Sequence, residues 1–130
     1  MLARPSLALA ALAVALVVTA CGGDSDTDRS TRPRSTSASE SVTVVGENIR
    51  FDTTELTATT GQELEITFDN RDDGVPHNLH VRDTASGDAM TEITEGPVTQ
   101  TLEVSFDQPG EFEYFCDVHP DRMAGTITVE

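Results

Sequence analysis

No lysine and no tryptophan occur in these 130 residues, tyrosine occurs once and cysteine twice. Every basic residue is therefore arginine, eight in all, against 23 acids, for a formal charge of −15. A chain this acidic repels nucleic acid and anionic lipid; its charge either favours cationic partners or keeps it soluble in salty or acidic surroundings. It also lacks a Ser/His/Asp set and a Gly-rich phosphate loop, so enzymatic activity is not expected.

Long hydrophobic runs are missing as well. The best, "LALAALAVALVV" at 7–18, is well short of the about 20 residues that span a membrane. With Arg4 ahead of it and Val18-Thr19-Ala20 behind, it reads as a secretory signal covering 1–20 rather than as a spanning helix. Cys21 directly after Val-Thr-Ala resembles the bacterial lipobox. That resemblance implies acylation of Cys21 and anchoring to the outer face of the cytoplasmic membrane. Two or more acyl chains give a stable anchor where one is marginal. Residues 22–40 carry almost no large apolar side chain and cannot offset their ordering entropy by burial. With Cys21 they form a flexible linker, 21–40, whose ends as a random coil lie roughly 25 Å apart.

The remainder of the chain, 41–130, holds four arginines and nineteen acids, so the whole formal charge sits on one domain. A chain of this size folds alone but buries only about 60–70% of its unfolded surface. It has no pair of cysteines to staple it: with Cys21 acylated, Cys116 is the lone thiol of an exported domain, where cysteines normally pair. It shows no internal repeat and no long helical periodicity. What it shows is alternation. "QELEITFDN" sets Leu64, Ile66 and Phe68 against Glu63, Glu65 and Thr67; "TLEVSF", "EFEYF" and "GTITV" do the same. Turn signals separate them at Gly61, Gly74, Gly87, Pro97 and Pro109. Further strands are expected at 41–45, 49–51, 55–58 and over "HNLHV". Period two with one polar face predicts antiparallel sheets wet on one side, hence an all-β, Greek-key β-sandwich of seven to eight strands.

Against this background "YFCDVHPDRM", 114–123, gathers a cysteine, a histidine and a methionine into one short turn. Each alone has an ordinary role: a cysteine as a small core residue, a loop histidine as an exposed one, a methionine as packing. Upstream, "VPHNLHV" adds His77 on the strand face shared with Leu79 and Val81, the buried face by alternation. His80 falls on the opposite face and is expected to be exposed. Two imidazoles, a thiolate and a weak thioether suit a blue-copper electron-transfer centre, a His2Cys plane with a long axial Met. A zinc site on Cys116, His77 and His119 is the rival metal reading, although thioethers are poor zinc ligands and the spacing is unlike the structural zinc motifs. A sandwich without metal, serving adhesion or envelope structure, is the third.

The "PHN" of 76–78 and the "YFCDVHPDRMAGTITV" of 114–129, supported by "FDN" and "QPGEFEYFC", resemble the cupredoxins, small blue copper proteins of the plastocyanin and amicyanin type. The resemblance implies a single copper ion alternating between Cu(I) and Cu(II). His77, Cys116 and His119 are then its equatorial ligands and Met123 its axial one. Asn78 steadies the Cys116 sulfur and the two ligand loops, and His119 is the solvent-edge ligand. It implies a monomer that carries single electrons between extracytoplasmic redox proteins, with copper storage, delivery or resistance as the alternative. A two-copper purple centre would need a second cysteine in the loop. The sequence departs from the pattern in the three residues between His119 and Met123, a gap between those of amicyanin and plastocyanin. It departs again at Asp117 and Val118, where many relatives have smaller residues or proline.

Overall fold

The computed structural model describes residues 39–130. The expected signal segment, Cys21 and all but the last two residues of the linker lie outside the described residues. Ten strands are present: β1 (Glu40–Gly46), β2 (Glu55–Ala58), β3 (Glu63–Asn70), β4 (Pro76–His77), β5 (His80–Thr84), β6 (Gly87–Met90), β7 (Thr94–Glu95), β8 (Val98–Ser105), β9 (Gly110–Phe115) and β10 (Ala124–Val129). Eight of them have four or more residues, and no helix occurs among the described residues. One sheet has the order β1-β3-β8, the other β2-β10-β9-β5-β6, and β4 and β7 form a separate two-residue ribbon.

The alternation dictates which face goes inward. Along β3, Leu64, Ile66, Phe68 and Asn70 are buried while the residues between them stay partly or fully exposed. Opposite them the second sheet contributes Leu56, Ala58, Val81, Tyr114, Ile127 and Val129 to the same core. Each fully buried large aliphatic or aromatic side chain adds about 1.5–3 kcal/mol. Cys116 and Met123 belong to this cluster, so the soft donors sit at one end of the hydrophobic core rather than outside it.

The sheets are not purely antiparallel. β1 pairs with β3 in parallel, Glu40 opposite Leu64 through Gly46 opposite Asn70, and β2 pairs with β10 in parallel. Between β1 and β3 the chain visits the other sheet to form β2, so β3 re-enters the first sheet in the direction of β1. That return is invisible to a periodicity argument. The expected strand at 49–51 is instead a reversal: Asn48 and Ile49 have φ of 56° and 54°, with only an isolated bridge from Gly46 to Phe51. "HNLHV" does not run as one strand either. Pro76–His77 pairs with β7, the chain breaks at Asn78 and Leu79, and His80–Thr84 joins β9.

Two glycines permit close approaches. A Cβ on Gly125 would overlap the Tyr114 ring, which crosses the strand so that its hydroxyl donates to the Thr53 carbonyl. Burial, with Asp52 nearby, pushes that hydroxyl's pKa up. A Cβ on Gly46 would come within 3.1 Å of the Phe68 ring and 3.3 Å of the Met123 methyl, so the end of β1 closes directly over the methionine.

Candidate metal centre

Three segments converge at this end of the sandwich. β4 delivers His77, the end of β9 delivers Cys116, and the turn after it delivers His119 and Met123. The turn is wound by its own backbone: His119 N–H donates to the Cys116 carbonyl at 3.2 Å, Met123 N–H to the His119 carbonyl at 2.9 Å, and Cys116 N–H to the Met123 carbonyl at 2.9 Å. These bonds fold an eight-residue stretch back on itself, with Cys116 and Met123 buried, His119 half-buried and the five residues between them exposed.

His77 and Cys116 are fully buried, and His119 is the part-exposed member. One donor atom from each lies within 4.8 Å of the others. His77 Nδ1 stands 3.2 Å from His119 Nδ1 and 3.8 Å from Cys116 Sγ. Bonds of about 2.0–2.3 Å from one ion to nitrogen and thiolate place neighbouring donors about 3–4 Å apart, the spacing found here. Met123 is also fully buried, in the same turn and beneath Gly46. Two nitrogens and a soft sulfur with a thioether nearby fit a copper ion, whose cuprous state thiolate and thioether select.

Sequence reasoning missed what holds His77. Its Nε2 lies 2.8 Å from Asp72 Oδ2, so Nε2–H donates to the carboxylate and Nδ1 keeps its lone pair for the shared point. A carboxylate behind a ligating imidazole fixes its tautomer and raises its basicity. Asp72 also accepts from the Asn48 and Ile49 N–H groups at 2.6 and 2.8 Å, tying the left-handed reversal after β1 to the ligand. Burial tends to raise the Asp72 carboxyl, but the bonds from Ile49, His77 and Asn48 hold it below the usual range. Asn70, fully buried, anchors this loop through the Val75 and Thr94 carbonyls and the Asp72 N–H. "RDDG" carried the signal, a carboxylate five residues before the ligand, but it reads first as a turn.

Asn78 joins the two ligand segments through Asp117: its Oδ1 accepts the Asp117 N–H at 2.9 Å, and its Nδ2 donates to Asp117 Oδ2 at 2.7 Å. The bonds run to Asp117 rather than to the Cys116 sulfur. His80, expected to be exposed, is only 9% exposed: it lies on the face opposite its core neighbour Val81, as alternation requires, but Phe115 and Asp117 cover it there. It stacks on Phe115, ring centroids 4.6 Å apart, and its Nδ1 meets the Asp117 carboxylate at 2.9 Å. Burial acts to raise the Asp117 carboxyl; the bonds from Asn78 and His80 outweigh it and hold the carboxyl low.

Comparison with known proteins agrees with this geometry. The profile of the family described as Cupredoxin-like domain matches residues 8–129. Amicyanin-alpha of Methylorubrum extorquens is 34% identical over 85 residues, 63% of this chain and 66% of the relative, just under two thirds of its length. Among solved structures, a dithionite-reduced auracyanin from Roseiflexus castenholzii has a TM-score of 0.63 at 22% identity, covering 72% of this chain and 98% of that one. Auracyanin A of Chloroflexus aurantiacus, a "blue" copper protein, has 0.60 at 22% identity, covering 69% and 98%. At these identities the solved structures bear on the fold alone.

Proposed function

Because this chain belongs to the cupredoxin-like family, we propose that it is a membrane-tethered type 1 copper protein that takes up one copper ion and passes single electrons between extracytoplasmic redox partners. The observation that carries the reading is the convergence of His77 Nδ1, Cys116 Sγ and His119 Nδ1 within 4.8 Å, with Met123 buried in the same turn. Bound there, copper supplies a one-electron Cu(I)/Cu(II) couple. The chain's part is to keep the donors still. Asp72 holds His77 in one tautomer, the backbone bonds of the turn hold Cys116 and Met123, and Asn78 ties one ligand segment to the other. Ligands that do not move between oxidation states add little to the barrier for transfer. His119, the part-exposed ligand, is the electron port, and the neighbouring Val118, 39% exposed, gives a partner apolar surface beside it. No catalytic turnover is assigned to the protein.

The test is a visible and paramagnetic resonance spectrum of the protein with Cu(II) added. A thiolate-to-copper charge-transfer band that vanishes in Cys116→Ser supports the reading; a colourless wild type overturns it. Reversible redox cycling without copper loss distinguishes a carrier from a storage or delivery protein.

The tether and partners rest on the sequence. Cys21→Ala is expected to release the protein from the membrane fraction or block its maturation; a mutant matured and membrane-bound like wild type rejects the lipid anchor. The −15 charge favours a cationic partner, so association is expected to slow steeply as salt shortens the Debye length from about 10 Å at 0.1 M to about 3 Å at 1 M. A salt-independent rate would assign the acidity to solubility.

A further inference from the structure

Asp117 comes directly after the thiolate, and the copper reading gives its side chain no task. We infer that Asp117 is a positioning residue whose carboxylate, held by His80, latches the thiolate end of β9 to the segment that carries His77. The inference rests on the copper reading for its consequence but not for its geometry.

The backbone contribution is unspecific, since any residue at this position offers the N–H that Asn78 Oδ1 accepts. The side chain adds what is particular. Asn78 is fully buried, and the only acceptor its Nδ2 reaches among the described residues is Asp117 Oδ2, at 2.7 Å. A smaller or apolar residue here would strand a buried amide donor, a state proteins avoid. The two bonds close a ring between residues 39 apart in sequence, one beside each ligand. Two parallel bonds fix orientation as well as distance.

His80 makes the carboxylate a fixed group rather than a mobile acid. Its Nδ1 lies 2.9 and 3.2 Å from the two Asp117 oxygens. Its ring stacks on Phe115, the residue before Cys116, at 28° between planes, and the Arg82 guanidinium sits 4.4 Å from the same ring centroid. One histidine therefore grips the residues on both sides of the thiolate. The carboxylate also places a negative charge two residues from His119, which favours the more highly charged oxidised ion. The grip holds the donors for both oxidation states, and the charge adds a preference for Cu(II).

The experiment compares wild type with Asp117→Ala, Asp117→Asn and His80→Phe. Three quantities are measured: Cu(II) and Cu(I) affinities by competition, the reduction potential, and hydrogen exchange of the Asn78 side-chain amide in the copper-free protein. Asp117→Ala is expected to weaken Cu(II) binding about 10–100-fold and Cu(I) binding less. The potential then rises by about 59 mV for each tenfold of difference, and the Asn78 amide loses its protection. His80→Phe keeps a ring on Phe115 but has no donor, and is expected to shift all three in the same direction by less. Asp117→Ala with wild-type affinities, potential and protection overturns the inference. So does a potential that shifts in Asp117→Asn while the Asn78 amide stays protected in every variant, because the carboxylate then acts through charge alone. Should Asp117→Ala not fold, the other two variants decide. A wild type that takes up no copper defeats the copper reading, and the Asn78 amide in the copper-free protein still decides for or against the latch.

Discussion

His77 presents Nδ1 to Cys116 Sγ at 3.8 Å because its other nitrogen is bound to Asp72, 2.8 Å away. The imidazole is oriented from behind by a carboxylate that is itself held by two backbone N–H groups of the reversal after β1. The buried face of the site is thus set by a residue outside both ligand motifs.

Asp72→Asn tests that relationship. The amide removes the negative charge behind His77 and leaves a poorer match to three donors, so Cu(II) loses more than Cu(I). The potential is expected to rise, with tenfold differential weakening equal to about 59 mV. Asn48→Gly alters the same reversal without touching His77 and is expected to leave the potential unchanged. Voltammetry of the two variants decides; equal shifts would mean that the turn, not the carboxylate, matters.

Acid sensitivity is expected to arise from Asp72 and Asp117. Asp72 and Asp117 both titrate below the ordinary 3.8 in the folded protein. Their contribution to stability is fully present above that value and disappears as pH falls through the lower folded values. Denaturant unfolding of the copper-free protein is expected to show a gap between wild type and Asp72→Asn at pH 7 that narrows below pH 3.8. A gap of constant size down to the acid-unfolding limit would contradict the assignment.

Cys116→Ser is expected to abolish the blue colour and leave the sandwich folded, since the site occupies one end of the core and not its middle. A hydroxyl in place of a fully buried sulfur costs about 1–3 kcal/mol if it finds no partner. Absorbance and far-ultraviolet dichroism of the same sample separate loss of the ligand from loss of the fold.

Met123→Leu keeps the bulk beneath Gly46 but removes the thioether. If its sulfur is a weak axial donor, copper stays bound by His77, Cys116 and His119 and the potential rises; a rise of about 60 mV would correspond to about 1.4 kcal/mol for one electron. Met123→Gln, a harder donor, is expected to lower it. An unchanged potential in both would make Met123 a packing residue, and Asp117 and Asp121 the next side chains to vary.

Gly125→Ala addresses the fold away from the metal. A Cβ that overlaps the Tyr114 ring cannot be accommodated without moving a buried aromatic, which costs about 1–3 kcal/mol. For a domain of this size each kcal/mol is about 4–8 °C in Tm, so a drop of roughly 5–20 °C is expected by calorimetry. Wild-type Tm would show that Tyr114 repacks freely.

The convergence of His77, Cys116 and His119 near the buried Met123 was legible because it is local: Cys116, His119 and Met123 share one turn, and His77 comes after a proline at the start of a strand. The two-sheet architecture was legible from alternation in β3, β8, β9 and β10. What stayed hidden depends on the path of the chain between sheets. The parallel pairing of β1 with β3 needs to know that β2 lies in the other sheet. The burial of His80 needs to know that Phe115 and Asp117 pack over its outward face, and Asp72 could not be told from any other acid of a turn until the loop folded back on His77.

Glu40 at the start of β1 binds Thr59 through its carboxylate, and Thr60 N–H donates to the carbonyl of Glu130. The first strand and the last therefore meet at one turn, at the pole where Glu40 lies, while Gly46, at the far end of the seven-residue β1, covers Met123 at the other. A strand of that length spans about 20 Å. The described domain is thus arranged like a plug: Glu40 and Glu130 lie at the back, and the candidate site lies at the front. Spliced at Glu40 and Glu130 into a surface loop of a host protein, or fixed to an electrode through either of these residues, the domain 40–130 would present the part-exposed His119 away from its attachment.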